Sequence, residues 1–270
     1  MALTINSLAE NISAQRQLGL SSLQNKSLSH LASGLGINQS SDDPAGSSIV
    51  DLMNANIRGI SRYIGNAYDG VSVTKTADAG LQGSTSILQQ MRELAVQSGN
   101  GALNDSDRAS IQKEMDQLRS EYDQIAEQTE YNGINLLDGS YYDDFHTVNQ
   151  GKEVQINIQI GDVRTVLNPT IDVTTSSNAS DALDKIDSAL NEISKTRSDL
   201  GAIQNSFKTT ISELSSRIEM LSTAQSRIGD LDYASESNQW NALKVLQEAG
   251  IHAQSQANYA KSNVFNLLFK

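Results

Sequence analysis

Seven apolar residues occupy seven consecutive positions of a seven-residue repeat in the second half of the chain: Ile186, Ile193, Leu200, Phe207, Leu214, Leu221 and Ile228. With 38% of the residues hydrophobic, seven hits in a fixed register arise by chance about once in a thousand trials. A companion line, Leu183, Leu190, Ile211 and Ile218, runs beside it. This period returns side chains to one face of an α-helix every two turns, and a helix of that length buries such a seam only against other helices. The pattern therefore demands a helical bundle.

Two earlier segments supply partners. From Pro44 to about Ser98, Met53, Ile60, Ala67, Leu81, Leu88 and Ala95 fall on one line, with Ile57, Ile64 and Val71 beside it. Asp42 and Asp43 are suited to accept the first unpaired N–H groups, Pro44 suits a first helical position, and Gly99 and Gly101 suit an end. A second helix, about Ser106 to Thr129, follows from Ile111, Met115, Leu118, Tyr122 and Ile125, with Asn132 and Gly133 closing it. Pro44 and Pro169 are the two prolines of the chain, so long helices run without the residue that most reliably breaks them. The period then changes. Val154, Ile156, Ile158 and Ile160 alternate with Gln155, Asn157 and Gln159, which predicts a half-buried strand, and Thr174 to Ser180 reads as a polar loop. The predicted fold is mainly α: a long antiparallel helical coiled-coil bundle with a small central β-hairpin region at about 139–180.

The two ends have a different character. Residues 1–40 place Ile5, Leu8, Ile12, Leu23, Leu28, Leu31 and Leu35 at largely helical spacing with three charged residues, Glu10, Arg16 and Lys26. Residues 234–270 repeat the style, with Leu246, Ala249, Ala253, Ala260, Val264 and Leu267 on one side and five charges. Exposed helix faces are ordinarily charged. A helix with an apolar stripe and an uncharged polar remainder gains little alone in water and loses little when other protein surrounds it. Both ends are expected to be poorly ordered in a free monomer and to fold when neighbouring chains bury them.

Composition excludes most chemistry. A formal net charge of −12 opposes binding to phosphate backbones, which need clustered Lys and Arg. No apolar run approaches the roughly 18 residues of a membrane span, and Met1 to Glu10 lack the basic and apolar regions of a cleaved signal peptide. Cysteine is absent, removing disulfides and thiolate chemistry. His30, His146 and His252 have no metal-type spacing and read as surface or packing residues. The carboxylate pairs Asp42-Asp43 and Asp143-Asp144 read as a helix cap and a solvated turn, with no nucleophile or phosphate loop in a catalytic arrangement. No cofactor and no metal are expected. Tyr141, Tyr142 and Phe145 cluster near one loop, too little for an aromatic-lined carbohydrate site. Asn178-Ala-Ser180 is a formal glycosylation acceptor of low specificity.

Several segments, in order, resemble the bacterial flagellin family. Leu31-Ala-Ser-Gly-Leu-Gly-Ile-Asn38 and Asp42-Asp-Pro-Ala-Gly46 resemble its amino-terminal signature, continued by Asn66-Ala-Tyr-Asp-Gly70, Met91-Arg-Glu-Leu-Ala-Val-Gln-Ser98 and Glu130-Tyr-Asn-Gly-Ile-Asn-Leu-Leu137. Arg197-Ser-Asp-Leu-Gly-Ala-Ile-Gln-Asn205, Ser226-Arg-Ile-Gly-Asp-Leu-Asp-Tyr-Ala234, and the tail from Gln256-Ala-Asn258 to Leu267-Leu268 resemble the carboxy-terminal one. Gly36, Tyr63, Ile64 and Leu231 depart from the family pattern.

The resemblance implies a self-polymerising filament subunit for motility, a hairpin-like molecule that is near-minimal because about forty residues, Gly139 to Ser180, replace the outer domains of larger members. It implies an inner core from residues 1–41 and 231–270 and an outer helical bundle from 42–230. The terminal polymerisation residues would include Leu8, Ile12, Leu23, Leu31, Leu246, Ala253, Val264 and Leu267. Leu88, Arg92, Leu94 and Glu114 match the region of contacts along the filament and of the animal Toll-like receptor surface, where Gln90 departs from the arginine of strongly recognised members. Partners implied are many copies of itself, a secretion chaperone acting on Trp240 to Lys270, the filament cap and hook-associated proteins, with no nucleic acid and no membrane insertion. The implied location is the extracellular flagellum, periplasmic in a spirochaete. The alternative within the family is a hook–filament junction adaptor.

Overall fold

The structure, a computed structural model, describes residues 2–149, 152–167 and 170–268, and the side chains of 2–11, 147–149, 152–154, 261 and 264–268 lie outside that description. The elements in chain order are α1 (Ala2–Ser33), α2 (Pro44–Ser98), α3 (Asp105–Gln128), β1 (Glu130–Tyr131), β2 (Ile134–Asn135), β3 (Tyr142–Asn149), β4 (Lys152–Gln159), a 3-10 turn (Val163–Leu167), α4 (Ser176–Gly229) and α5 (Tyr233–Leu268). They form two compact units: Met1–Ile57 with Met220–Lys270, and Arg58–Glu219. Both boundaries fall inside helices α2 and α4.

The 58–219 unit carries the core. Arg92 on α2 reaches Asp187 on α4, Asp78 reaches Arg197, and Gly70 faces Phe207, so the two helices run antiparallel in constant register. Ile186, Ile193, Leu200, Phe207 and Leu214 are buried along α4, as are Ile60, Ala67, Leu81, Leu88 and Ala95 along α2. The gap in the α2 line, between Ala67 and Leu81, is Thr74; it is fully buried with its hydroxyl donating to the carbonyls of Gly70 and Val71, so no polar group is stranded. A Cβ at Gly70 would lie 2.4 Å from Phe207 Cζ. The glycine gives up helix propensity and admits the Phe207 ring, which meets Phe145 edge-on at 5.5 Å between centroids. Asn104 and Asp107 form a capping box at the start of α3.

Buried polar groups lock the remaining segments. Arg108, 6% exposed, donates to the Ser98 and Asn100 carbonyls at the end of α2, where a cation also meets the negative end of the helix dipole. Tyr122 donates to the Val163 carbonyl, and its burial pushes the phenol far above its ordinary value. Gln112 acts as an artificial strand partner, donating to the Ile171 carbonyl and accepting from the Val173 N–H.

Three sequence expectations change here. Asn132 (φ 53°) and Gly133 (φ 78°) do not close α3; they form the turn of the β1–β2 hairpin, since two consecutive positive φ values suit a tight hairpin turn. Tyr142, Asp143, Asp144 and Phe145 lie not in a loop or solvated turn but in β3, paired antiparallel with β4. Thr174 to Ser180 is a loop only to Thr175, because α4 begins at Ser176, which places the Asn178-Ala-Ser180 tripeptide in its first turn. The predicted alternation holds for the described side chains of β4, with Ile158 buried, Ile156 partly buried and Gln155, Asn157 and Gln159 exposed.

In the terminal unit α1 and α5 pack antiparallel, since Gln17 faces Gly250 and His30 faces Glu236. Gly34 (φ 72°) ends α1 with its N–H on the His30 carbonyl. The chain then crosses the α4–α5 junction, with Gly36 N–H donating to Gly229 O and Leu231 N–H to Gly34 O. A Cβ at Gly36 would sit 3.3 Å from the Asp230 carbonyl oxygen. The close backbone crossing favours glycine there.

Candidate interaction surface

The terminal unit leaves apolar surface open. Leu18 is 71% exposed, Val245 64% and Tyr259 74%, and Ile12, Leu23, Leu28, Leu246 and Ile251 are each about half exposed. Of the sequence-predicted terminal residues, Ile12, Leu23, Leu246 and Ala253 are exposed and Leu31 is partly buried. Leu8, Val264 and Leu267 lie on α1 and α5 with side chains outside the described residues. A groove of about 840 Å³ runs between Gln17 and the Ile251–Asn263 stretch, lined by amides and hydroxyls with Ile251 and Tyr259. Among the described residues its lining carries no charged group, so covering these residues desolvates no ion.

The outer-bundle candidates separate. Leu88 is wholly buried; its side chain belongs to the core and is not available to a neighbouring molecule, which corrects the sequence expectation. Its place on the α2 heptad line was the signal for that. Leu94 packs partly on the core, and Glu114 is exposed on α3. Arg92 is exposed yet engaged within the chain: its Nε donates to Asp187 Oδ1 at 2.7 Å, and that carboxylate raises the guanidinium further above its ordinary value.

A polar cluster at the end of α1 was missed by sequence reasoning. Lys26 Nζ lies 2.8 Å from Asp42 Oδ1, while Asp42 Oδ2 accepts from the Asn38 and Gln39 N–H groups, each at 3.0 Å, and lies 3.3 Å from His30 Nε2. Lys26 first, then the backbone donors, hold the Asp42 carboxyl well below the usual carboxylate range. Asp42 therefore ties the post-α1 turn together, and Asp43 alone caps α2, accepting from the Ala45 N–H. His30 is buried between Asp42 and Glu236, so the surface-or-packing expectation for it is too weak. The 12-residue gap between His30 and Asp42 carried no periodic signal.

Catalytic chemistry finds no support in the arrangement. Asp42 and Asp43 serve different structural donors, and Asp143 and Asp144, as consecutive strand residues, face opposite sides of the hairpin. Among the described residues no three metal-type ligands converge and no helix is long and apolar enough to cross a membrane.

Comparison with known proteins gives two sequence-family matches. The bacterial flagellin N-terminal helical region matches residues 5–142 and the bacterial flagellin C-terminal helical region residues 183–268. The chain is 36% identical to a flagellin of Halalkalibacterium halodurans over 98% of this chain and 99% of that one. It is 35% identical to a flagellin of Bacillus subtilis over 98% and 96%. Among solved structures, the crystal structure of Bacillus cereus flagellin superposes with a TM-score of 0.52 at 27% identity, over 56% of this chain and 88% of that one.

Proposed function

The chain belongs to the bacterial flagellin family and is a structural subunit of the flagellar filament, not an enzyme; from that premise we propose how its terminal and middle segments divide the work. Residues 1–41 and 231–270 form the inner core of the filament, and residues 42–230 form the outer helical layer around it. The observation that carries this reading is the exposed apolar surface of α1 and α5, whose polar remainder is mostly uncharged where ordinary solvated helices carry charge.

Each subunit would present heterologous surfaces that do not close on themselves, which generates an open helix of subunits instead of a dimer. Burial of Ile12, Leu18, Leu23, Val245 and Leu246 supplies the driving force, at roughly 25 cal/mol per Å² of apolar surface, opposed by the entropy of ordering the ends. Leu8, Leu31, Ala253, Val264 and Leu267 lie on the same helices and belong to the same contacts. Arg92, Leu94 and Glu114 form the contact region of the outer layer; Arg92 works from a position braced by Asp187. The apolar stripe of Trp240 to Lys270 suits a secretion chaperone before assembly, with the filament cap and hook-associated proteins as later partners. A Toll-like receptor would read the Arg92–Glu114 surface.

Electron microscopy after seeding tests the division of work. Full-length protein should form long filaments, and a chain lacking residues 1–40 and 234–270 should stay monomeric. A full-length protein that remains soluble under every seeding condition would overturn the reading in favour of a low-copy junction adaptor.

A further inference from the structure

His146 and His252 are exposed, but His30 is 9% exposed and lies between two carboxylates from different segments. Its Nε2 is 3.3 Å from Asp42 Oδ2 in the turn after α1, and its Nδ1 is 3.8 Å from Glu236 Oε1 in the first turn of α5. We propose that His30 is a protonation switch: charged, it fastens the start of α5 to the end of α1, and neutral, it slackens that joint. The consequence for assembly rests on the filament reading above; the switch itself does not.

A neutral imidazole has one N–H and one lone pair, so whichever carboxylate receives the N–H, the other faces the lone pair. The imidazolium donates towards both. Asp42 stays ionised, because Lys26 and the Asn38 and Gln39 N–H groups hold it so. Glu236 sits in the first turn of α5, where the helix dipole favours its negative charge. Lys26, Asp42 and Glu236 together leave one negative charge uncompensated, and the proton on His30 cancels it. The neighbouring acids are otherwise occupied: Asp43 caps α2 through Ala45 N–H, and Asp232 caps α5 through the Ala234 and Ser235 N–H groups.

The joint has a second half that does not titrate. Backbone bonds link Gly36 N–H to Gly229 O and Leu231 N–H to Gly34 O beside the cluster. Deprotonation therefore loosens the joint without dissolving it. The imidazolium reaches both carboxylates and the neutral ring only one, so the tighter joint belongs to the acid side of the ordinary histidine range, about pH 5, and the looser one to about pH 8.

The test is limited proteolysis of the soluble full-length chain within the first turns of α5, from about pH 5 to about pH 8, corrected for the protease's own pH profile on an unfolded control. The wild-type chain should be cut about two- to five-fold faster at the alkaline end, the range expected of one partly shielded ion pair. H30Q and E236Q should lose that slope, and H30R, which fixes the charge, should be slow and flat. Circular dichroism confirms that each variant keeps its helices, and H30R guards against mere failure to fold, since it should gain protection. A flat wild-type profile, or a slope retained by both H30Q and E236Q, overturns the switch. Seeded filament growth followed in parallel separates the two readings: a pH-dependent joint in a chain that never polymerises sinks the filament division and leaves the switch, while filaments with a flat joint do the reverse.

Discussion

One heptad line passes through both units and is treated differently in each. Within residues 58–219, Ile186, Ile193, Leu200, Phe207 and Leu214 are at most 2% exposed, whereas Leu221 and Ile228, the next two members of the same line, are only partly buried in the terminal unit. A similar contrast separates Leu81 and Leu88, fully buried on α2, from Met53 on the same line, which is only partly buried. Helix pattern is equal on both sides of the boundary. What differs is the number of partners among the described residues, because α3, the hairpins, the 163–167 turn and residues 170–173 close over α2 and α4 in one unit and have no counterpart in the other. A finished core and an unfinished one can share one repeat, and under the proposed division of work the unfinished one is where neighbouring subunits complete the burial.

The comparison predicts unequal costs. Phe207→Ala should destabilise the soluble chain by about 3–5 kcal/mol in chemical denaturation, because the ring fills the space left by Gly70 and meets Phe145 edge-on. A smaller loss, about 1–3 kcal/mol from overpacking, is expected of Gly70→Ala even though alanine is the better helix former by about 1 kcal/mol. A stabilised Gly70→Ala chain would show that the α2–α4 packing is looser than the 2.4 Å approach requires.

For the terminal unit the expected effects are smaller and conditional. Asp42 is held ionised in the folded chain, so its contribution is full above the ordinary aspartate value of 3.8 and is lost as pH falls through the depressed one. Asp42→Asn should therefore weaken the α1–α5 joint at neutral pH and flatten its loss on acidification, followed by hydrogen exchange at Asn38 and Gln39. Smallest in the monomer are Leu18→Ser and Val245→Ser, within about 0.5 kcal/mol in denaturation of the soluble chain. Both should raise the concentration needed for seeded polymerisation. If they cost the monomer as much as Phe207→Ala does, the terminal unit is a closed core and the contrast fails.

Much of this was legible in the residues. The unbroken heptad line from Ile186 to Ile228 and the one from Met53 to Ala95, interrupted only at Thr74, fixed α4 and α2, and Pro44 and Ser98 bound α2 as the periodicity predicts. The β4 strand followed from its alternation. Its partner β3 did not, because Tyr142 to Asn149 mixes acids, aromatics and polar residues without alternation, and its pairing is set by register against β4. Leu88 was open to two readings, a family contact or a heptad core position, and the local periodicity was the stronger physical signal.

The sequence by itself determined the helices, since a seven-residue repeat of apolar side chains has one low-energy local form and the short-range capping signals sit beside it. The tertiary structure alone decided which stretches of that repeat are sealed, where Arg92 and Arg197 spend their charges, and that His30, Asp42 and Glu236 meet. Local propensity acts over a turn or two of chain, whereas burial and charge pairing depend on segments that are distant in sequence and adjacent only after folding.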